Sequence, residues 1–396
     1  DVTLQFGRHL MDRFQLDPTI TYLNHGTVGA PPKVVTEYQR RLQDQIELQP
    51  AQFLLRDLAD FEANGNPARP HMRVAAEATA DFVGCDPDLF GFVDNATTGA
   101  SAVLRSFPFE AGDEILITDL GYGGVNNAAE YVALRAGATV RECVMPSPGA
   151  PVDDFVTAAI DALAPNTRLF MIDHIAAHTA LTLPIERIVQ ACRERGVVTL
   201  VDGAHVPGAI PLDVEAVGAD FYVANLHKWL FTPRSCGFVA TTPEWASSLH
   251  PTVISWGYGN GVAAEFDLVG TRDPSPMLTT PKAIEIWKQW GGDEIIAYNH
   301  DIVWRGAHTL AEAWGSTFQT PEEMVGPMVF VPLPDVFQTR STDEVALRAE
   351  LWHDDRIEVP IYWHKGVLGA RVSAQIYVDD TDIAFLADAI NDRRPS

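Results

Sequence analysis

Basic residues are scarce in this 396-residue sequence. Lysine and arginine number 28 against 53 aspartate and glutamate residues, which gives a formal net charge of -25 at pH 7. This excess of negative charge argues against nucleic acid or an anionic membrane surface as a partner. It does not exclude one small anionic ligand, because a few backbone N–H groups can hold a phosphate inside an acidic protein.

Long apolar runs are also missing. No run approaches the roughly 20 residues that a membrane-spanning helix requires. The start of the sequence, Asp1-Val-Thr-Leu4, lacks the basic and apolar regions of a secretory leader. We therefore expect a cytoplasmic protein with no membrane partner. A hydrophobic content of 46% and a charged content of 20% are typical of soluble globular proteins, and the length allows two domains with separate cores.

Cysteine is rare and scattered. The four cysteines are Cys85, Cys143, Cys192 and Cys236, and no two of them form a Cys-x-x-Cys pair. The spacing therefore predicts neither a zinc site nor a disulfide framework. We expect reduced, partly buried thiols and no metal ion.

Two apolar runs end in polar groups that suit a ligand site. The run Gly196–Val201 is followed by Asp202 and His205, and the run Ala219–Ala224 is followed by Asn225-Leu-His-Lys228. Continuous apolar runs of this kind indicate buried parallel strands, and open α/β sheets place ligands at the carboxyl ends of such strands. The pattern therefore predicts an acid and a lysine side by side at one sheet edge.

An acid and a lysine in this arrangement are what pyridoxal 5′-phosphate (PLP) requires. Lys228 can form the Schiff base, and the Asp202 carboxylate can keep the pyridine nitrogen protonated. The apolar setting of Lys228, between His227 and Trp229, favours the free amine by lowering the lysine pKa. The alternative is that Asp202 caps a helix and that His-Lys-Trp forms a solvated turn.

A phosphate cradle is predicted at the start of an alanine-rich helix. Asn95-Ala-Thr-Thr98 follows the strand-like run Phe90–Val93, so two hydroxyls and free backbone amides meet at a helix N-terminus. A helix cap made by Asn95 or by a threonine has the same sequence pattern. Both interpretations remain open at this level.

Seven motifs occur in one order from the N-terminus nearly to the C-terminus. They are Tyr22-Leu-Asn-His-Gly26, Asn95-Ala-Thr-Thr98, Asp173-His-Ile175, Val201-Asp-Gly-Ala-His205, His227-Lys-Trp229, Gly270-Thr-Arg272 and Arg371-Val-Ser-Ala-Gln-Ile-Tyr377. This ordered set resembles the class V PLP-dependent enzymes of the aspartate aminotransferase fold, and within them the isopenicillin N epimerase-like branch.

The resemblance implies an α/β fold, PLP-dependent transferase fold type I. A mostly parallel, seven-stranded sheet sandwiched by helices is expected, with a smaller α+β C-terminal domain. Alternating strands and helices from Phe90 onward agree with a parallel sheet. We expect an N-terminal arm over residues 1–30 that joins the small domain, a large PLP-binding domain over 31–265 and a small domain over 266–396. Asn64-Gly-Asn-Pro67 predicts a loop, and so do Gly26, Gly29 and Pro31-Pro32.

Several cofactor contacts are implied by the same resemblance. Thr97 and Thr98 are expected to bind the phosphate, with Asn95, Asn225 and His227 close by. Tyr122 lies between glycines and is expected to stack on the cofactor, the alternative being a core aromatic residue. In the family, the loop that carries Thr271 crosses to the partner's phosphate, so a homodimer with shared active sites is expected.

Substrate contacts are implied as well. Arg371 is expected to dock an amino-acid carboxylate through its planar fork, the alternative being a surface salt bridge. Asn24 and His25 are candidates from the first motif, although Asn24 could simply cap a turn. Relatives carry a polar pair where this chain has Ala176-Ala177, which cannot reach the cofactor's phenolic oxygen. His205 or His178 could reach that oxygen instead, and His174 and His178 are candidate substrate contacts.

The predicted activity is chemistry at Cα of an α-amino acid. Lys228, Asp202, His205 and Tyr122 are the predicted catalytic residues. Isopenicillin N epimerase-like epimerisation or racemisation comes first, and C–S lysis by β-elimination from a cysteine conjugate or sulfoxide is the alternative. An aminotransferase follows, and a non-catalytic PLP-fold binding protein comes last. A persulfide-type desulfurase is disfavoured, because its mobile cysteine belongs to the smaller domain and all four cysteines here precede residue 240.

Overall fold

The computed structural model describes residues 4–59 and 69–394. Within these ranges the strands are β1 Thr21–Tyr22, β2 Phe90–Val93, β3 Glu114–Thr118, β4 Thr139–Cys143, β5 Thr167–Asp173, β6 Val198–Asp202, β7 Phe221–Asn225, β8 Gly237–Thr241, β9 Met328–Pro332, β10 Ile357–Glu358, β11 Ile361–His364 and β12 Val367–Ser373. The loop predicted at Asn64–Pro67 lies outside the described residues.

Helices alternate with these strands. They are α1 His25–Val28, α2 Lys33–Leu48, α3 Pro50–Gln52, α4 His71–Val83, α5 Ala96–Ser106, α6 Gly123–Ala136, α7 Val152–Asp161, α8 Ile185–Glu194, α9 Val214–Val217, α10 Val262–Asp267, α11 Ser275–Leu278, α12 Thr280–Gln289, α13 Asp293–Trp314, α14 Glu344–Asp355 and α15 Asp380–Asn391. Short 3-10 turns and one π-helical turn, Phe53–Asp57, connect some of them.

The central sheet has seven strands in the order β2-β8-β7-β6-β5-β3-β4. Strand β8 runs antiparallel to both of its neighbours, and the remaining pairs are parallel. Strands β3 and β7 are buried along their whole length. Continuous apolar strands are expected where helices cover both faces of a sheet, so the predicted mostly parallel α/β sheet is confirmed.

Helix α8 shows how the sequence covers the sheet. Its buried residues Ile185, Ile188, Val189 and Cys192 recur at helical spacing, which gives one apolar face. The helix ends before Gly196, which adopts a φ of 69° in the turn that leads to β6. This crossover therefore delivers Asp202 to the carboxyl edge of the sheet.

The C-terminal part contains a second, antiparallel sheet in the order β11-β12-β9. Strand β12 carries Arg371 in its centre, opposite Phe330 of β9. The N-terminal segment joins this part, because β1 pairs in parallel with β10. The domain boundaries near residues 30 and 265 stay predictions.

The loop predicted around Gly26 and Gly29 is wrong in one respect, because residues His25–Val28 form the short helix α1. Close packing explains the glycines. A side chain at Gly26 would clash with Met328, and one at Gly29 would meet the carbonyl oxygens of His227 and Lys228. Gly29 also has a φ of 68°, which ends the helix.

Within the described ranges, no helix has both the length and the apolar character needed to cross a bilayer. The thiols of Cys143, Cys192 and Cys236 are buried, that of Cys85 is half-buried, and none of the four is in a disulfide.

Candidate active site

A cavity of about 560 Å³ opens at the carboxyl ends of β5, β6 and β7. Its described lining residues are Gly26, Thr27, Asn95, Ala96, Thr97, Thr98, Tyr122, Asp173, Ile175, Ala177, Asp202, Ala204, His205, Asn225, His227, Lys228 and Arg371. The lining therefore combines residues from the N-terminal segment, the central sheet and β12. The two strand ends predicted to form a ligand site do meet here.

Lys228 follows β7 and points its amine at His205. The Lys228 Nζ atom lies 3.2 Å from His205 Nε2. Burial and the nearby Arg371 charge lower the pKa of Lys228 to about 8, against the opposing effect of the Asp202 and Asp173 charges. The lysine is thus prepared to act as a nucleophile and as a base near neutral pH.

Asp202 ends β6 and is only 3% exposed. Its carboxylate accepts the Ala204 N–H at 2.9 Å. Burial raises the pKa of Asp202, while that hydrogen bond and the Lys228 charge favour the anion. A cationic ring nitrogen placed against this carboxylate would complete its charge pairing.

The first turn of α5 forms one wall of the cavity. Asn95 caps this helix, since its Oδ1 accepts the Thr98 N–H at 2.9 Å and the Thr98 hydroxyl at 3.1 Å. Asn225 Oδ1 accepts the Ala96 N–H at 2.8 Å and so fixes the helix start to the end of β7. The capping interpretation of Asn95 therefore holds, and Thr97 and Thr98 line the cavity at a helix N-terminus suited to phosphate.

Arg371 reaches the cavity from β12 and is 6% exposed. Its Nη1 donates to the Ala177 carbonyl at 2.6 Å, and its Nη2 donates to Thr27 Oγ1 at 2.6 Å and to Asn24 Oδ1 at 3.3 Å. The buried Nε–H has no acceptor among the described residues. Since no described Asp or Glu pairs with it, Arg371 is not a surface salt bridge, and a carboxylate ligand would supply the missing counter-charge.

Tyr122 sits immediately before α6, on the cavity wall, and is 47% exposed. A side chain at Gly124 would lie 2.8 Å from a Tyr122 ring atom, so the glycine leaves room for the ring. Tyr122 is therefore not a core aromatic residue. Its stacking on the cofactor stays a prediction.

The other histidine candidates do not occur among the described residues that line the cavity. His174 is buried, and its Nδ1 lies 3.0 Å from the Tyr222 hydroxyl. His178 is exposed, and its ring contacts the Tyr362 ring edge-on at 5.0 Å. Their direct contact with substrate stays untested, and the structure gives it no support.

Asn24 and His25 are not among the described lining residues, but each contacts a residue that is. Asn24 links Arg371 to Glu358, whose Oε1 accepts the Asn24 amide N–H at 2.8 Å. His25 is fully buried, with Nε2 2.8 Å from the Lys228 carbonyl and Nδ1 2.8 Å from the Tyr377 hydroxyl. Because a carbonyl can only accept, His25 donates to it through Nε2 and accepts from Tyr377 through Nδ1.

Thr271 is exposed and does not occur among the described lining residues. Its predicted contact is with the partner's phosphate, which a single chain does not test. His227 lines the cavity, and its Nδ1 donates to the Cys236 carbonyl oxygen at 2.7 Å.

These residues fit PLP. The site offers a lysine amine of lowered pKa, a buried carboxylate, a helix N-terminus for phosphate and an arginine with a free donor. His205 Nδ1 is a further buried atom without a partner among the described residues. A cofactor that places a ring, a phosphate and an aldehyde in the cavity would use this whole donor set.

Comparison with known proteins agrees with this geometry. A profile of the family described as Aminotransferase class-V matches residues 23–336. The chain belongs to the class-V aminotransferase family. Isopenicillin N epimerase of Streptomyces clavuligerus is 33% identical, covering 96% of this chain and 96% of that protein. L-cysteine desulfhydrase of Arabidopsis thaliana is 29% identical, covering 99% of this chain and 90% of that protein.

A solved structure supports the fold of this class-V enzyme. The apo structure of cysteine desulfurase from Thermococcus onnurineus NA1 matches with a TM-score of 0.80 and 16% identity, covering 100% of this chain and 99% of that one. The predicted fold type, enzyme class and PLP cofactor are confirmed at the level of the family.

Two polar lining residues of this class-V enzyme, Asp173 and Thr27, were given no role in the site from the sequence. Asp173 ends β5 beside Asp202, and an acid after an apolar run was the same signal that marked Asp202. Thr27 binds Arg371, a residue 344 positions away in sequence, so no local pattern could reveal that contact.

Replacing His25 by alanine is expected to destabilise the fold by about 3 kcal/mol, because two buried polar partners lose their hydrogen bonds. Glutamine, which keeps a side-chain N–H, should recover about half of that loss. Urea unfolding of the apo-protein measures both. Equal stability of His25→Ala and wild type would show that the buried contacts contribute nothing.

Capture of PLP by the apo-protein is expected to accelerate as pH rises through about 8. The unprotonated amine is the nucleophile, and the lowered pKa of Lys228 makes it available well below the ordinary lysine value of 10.5. Stopped-flow absorbance from pH 6 to 10 measures this rate. A Lys33→Ala variant, which removes an exposed lysine, should show the same curve. A rate profile with its midpoint near pH 10.5 would contradict the lowered pKa of Lys228.

Proposed function

We propose that this enzyme removes the α-proton of a small L-amino acid and expels a sulfur substituent from its β-carbon. The observation that carries the proposal is the position of one proton carrier, the Lys228 amine, whose Nζ lies 3.2 Å from His205 Nε2. β-Elimination needs only one such carrier, because the proton taken from Cα can return to the departing sulfur.

The chain's own residues divide the work. Arg371 docks the substrate carboxylate, and Thr27 and Asn24 hold the guanidinium in place. The Asp202 carboxylate is the residue that would hold a proton on the ring nitrogen of PLP. PLP, when bound, supplies an electron-accepting ring that stabilises negative charge at Cα.

Lys228 then accepts the α-proton as its amine is freed. Burial and the Lys228 charge keep the pKa of His205 well below its usual value, so His205 is neutral and accepts an N–H from Lys228. The electron pair of the Cα–H bond forms the Cα–Cβ double bond as the Cβ–S bond breaks. Lys228 returns the proton to sulfur, and water converts the released enamine into a keto acid and ammonia.

Sulfur transfer to a protein cysteine is not favoured. Burial raises the pKa of the Cys85, Cys192 and Cys236 thiols to about 12 and that of Cys143 to about 11. None of these thiols is prepared as a thiolate, which is the form that attacks sulfur.

Epimerisation is the second candidate, and Tyr122 favours it. Tyr122 belongs to the wall formed by the turn before α6, whereas Lys228 follows β7. A proton returned from that wall would reach the opposite face of Cα. Because the isopenicillin N epimerase described above is 33% identical to this chain, any test of function must be able to detect epimerisation.

Proton NMR in deuterated water distinguishes the candidates. The PLP-loaded protein is incubated with L-cysteine, S-alkyl cysteines, cysteine sulfoxides and L-alanine. A keto acid, ammonia and a thiol or sulfenate in equal amounts support the lyase. Deuterium at Cα with the D-enantiomer and no keto acid supports the epimerase instead, and a keto acid without ammonia indicates transamination.

We also propose a homodimer with shared active sites. The large exposed hydrophobic side chains Val253, Ile254, Trp256 and Tyr258 cluster in one loop region, and Thr271 is exposed on the next one. Apolar patches of this kind mark association surfaces. Analytical ultracentrifugation of the holoenzyme should give twice the mass of the 43.4 kDa chain. A monomer that is fully active would contradict shared sites.

A further inference from the structure

A second carboxyl group lies beside Asp202. Asp173, at the end of β5, pairs in register with Asp202 at the end of β6, and both line the cavity. Asp173 is 6% exposed and Asp202 is 3% exposed. Two carboxyl groups this close in a buried site cannot both ionise freely.

Asp173 touches the backbone of two cavity walls. The N–H groups of Tyr122 and Ala177 both approach its carboxyl group. Tyr122 carries the ring at the cavity mouth, and the Ala177 carbonyl accepts Arg371 Nη1 at 2.6 Å. One side chain therefore lies where the Tyr122 turn, the Ala177 segment and the central sheet meet.

The strand order separates Asp173 from the proton carrier. Strand β6 lies between β5 and β7, so Asp173 and Lys228 flank Asp202 on opposite sides. On the Asp173 side the chain has Ala176 and Ala177, whose side chains offer no polar atom. Asp173 therefore supplies a polar side chain on this side of the site.

We infer that Asp173 is a positioning residue that works as an uncharged carboxyl group, holding the Tyr122 and Ala177 backbones and, through the Ala177 carbonyl, the carboxylate-binding face of Arg371. Asp202 alone provides the negative charge. This inference rests on the proposed binding of an amino-acid carboxylate at Arg371, and it does not depend on which reaction follows.

The charges around the pair agree. Burial and the Asp202 charge raise the pKa of Asp173 well above its usual value, against the opposing effect of the Tyr122 and Ala177 N–H groups and the Lys228 charge. Asp202 accepts the Ala204 N–H and is favoured as an anion by Lys228. These surroundings favour the neutral form at Asp173 and the anion at Asp202.

Two substitutions of Asp173 test whether it acts as an uncharged hydrogen-bond acceptor or through a negative charge. Asp173→Asn keeps an oxygen acceptor and no charge, so Kd for L-alanine and L-cysteine, read from the absorption change of the holoenzyme, should stay within about threefold of wild type. Asp173→Ala removes the acceptor and should weaken both Kd values by about tenfold. Deuterium exchange at Cα of bound L-alanine should fall much less in Asp173→Ala than its binding does.

Asp202→Asn is the matched control on the neighbouring strand. It should lose α-deuterium exchange while amino-acid Kd changes little, the reverse of Asp173→Ala. Asp173→Asn as damaging as Asp173→Ala would overturn the uncharged role, and unchanged binding in Asp173→Ala would overturn the positioning role.

A pH titration keeps the inference testable if Asp173→Ala does not fold. The absorption of the Asp173→Asn holoenzyme from pH 5 to 9 should superimpose on that of wild type, because one neutral group replaces another. A midpoint displaced by more than about half a pH unit would show that Asp173 is charged. A wild-type enzyme that exchanges no α-proton from any amino acid would instead reject the proposed function.

Discussion

Lys228→Ala is expected to abolish covalent capture of PLP and to lower turnover by about 10,000-fold, because removing a general base alone costs up to that factor. The loss of the amine removes both the Schiff-base partner and the proton carrier. Borohydride reduction followed by mass spectrometry of the peptides reports the first loss, and keto acid or D-enantiomer formation reports the second.

Lys228→Arg is the matched control for this result. It keeps a positive charge beside His205, but it cannot form the Schiff base, so it should fail in the same way. If the Lys228→Ala variant still carries PLP on the same peptide after borohydride reduction, the assignment of Lys228 as the Schiff-base residue is wrong. Retained turnover in the arginine variant would show that charge, and not the amine, matters.

Arg371→Ala is expected to raise KM for the amino acid by roughly 30-fold or more, since a hydrogen-bonded charge contributes about 2 kcal/mol or more. PLP affinity should change far less, because the phosphate wall belongs to α5 and not to β12. Spectroscopic titration measures the cofactor Kd, and steady-state kinetics measure KM.

Arg371→Lys separates the planar fork from the charge, and only partial recovery of KM is expected because an ammonium group cannot bind a carboxylate in the same bidentate way. The pH dependence of PLP capture is a second measurement, because the Arg371 charge lowers the pKa of Lys228. PLP capture by Arg371→Ala should therefore shift to higher pH than in wild type. Equal losses of substrate and cofactor affinity would contradict the carboxylate role.

The central sheet could be predicted from the sequence because its strands are continuous apolar runs. The strand before Asp202 and the strand before Asn225 are buried throughout or nearly so, as a helix-covered parallel sheet requires. The one-turn helix α1 could not be predicted, since Gly26 and Gly29 have the pattern of a loop. Their small size is needed instead for contact with Met328 and with the Lys228 backbone.

Residues of the site were predictable where they follow a strand or belong to an ordered motif. Lys228, Asp202 and Arg371 are of this kind, and all three line one cavity. His25 lies in such a motif too, but its ring faces the protein interior, because Tyr377 and the Lys228 carbonyl are its partners. Sequence spacing indicates that a residue is near a site and does not indicate which way its side chain points.

The pairing of β1 with β10 places the two ends of the chain in one structure, with Thr21 opposite Ile357. The cavity is likewise completed by Thr27 at one end and Arg371 at the other. Contacts so distant in sequence form late, both during synthesis on the ribosome and during refolding. The Arg371 side of the pocket is therefore completed only after nearly the whole chain has been synthesised, long after Asp202 and Lys228 have emerged.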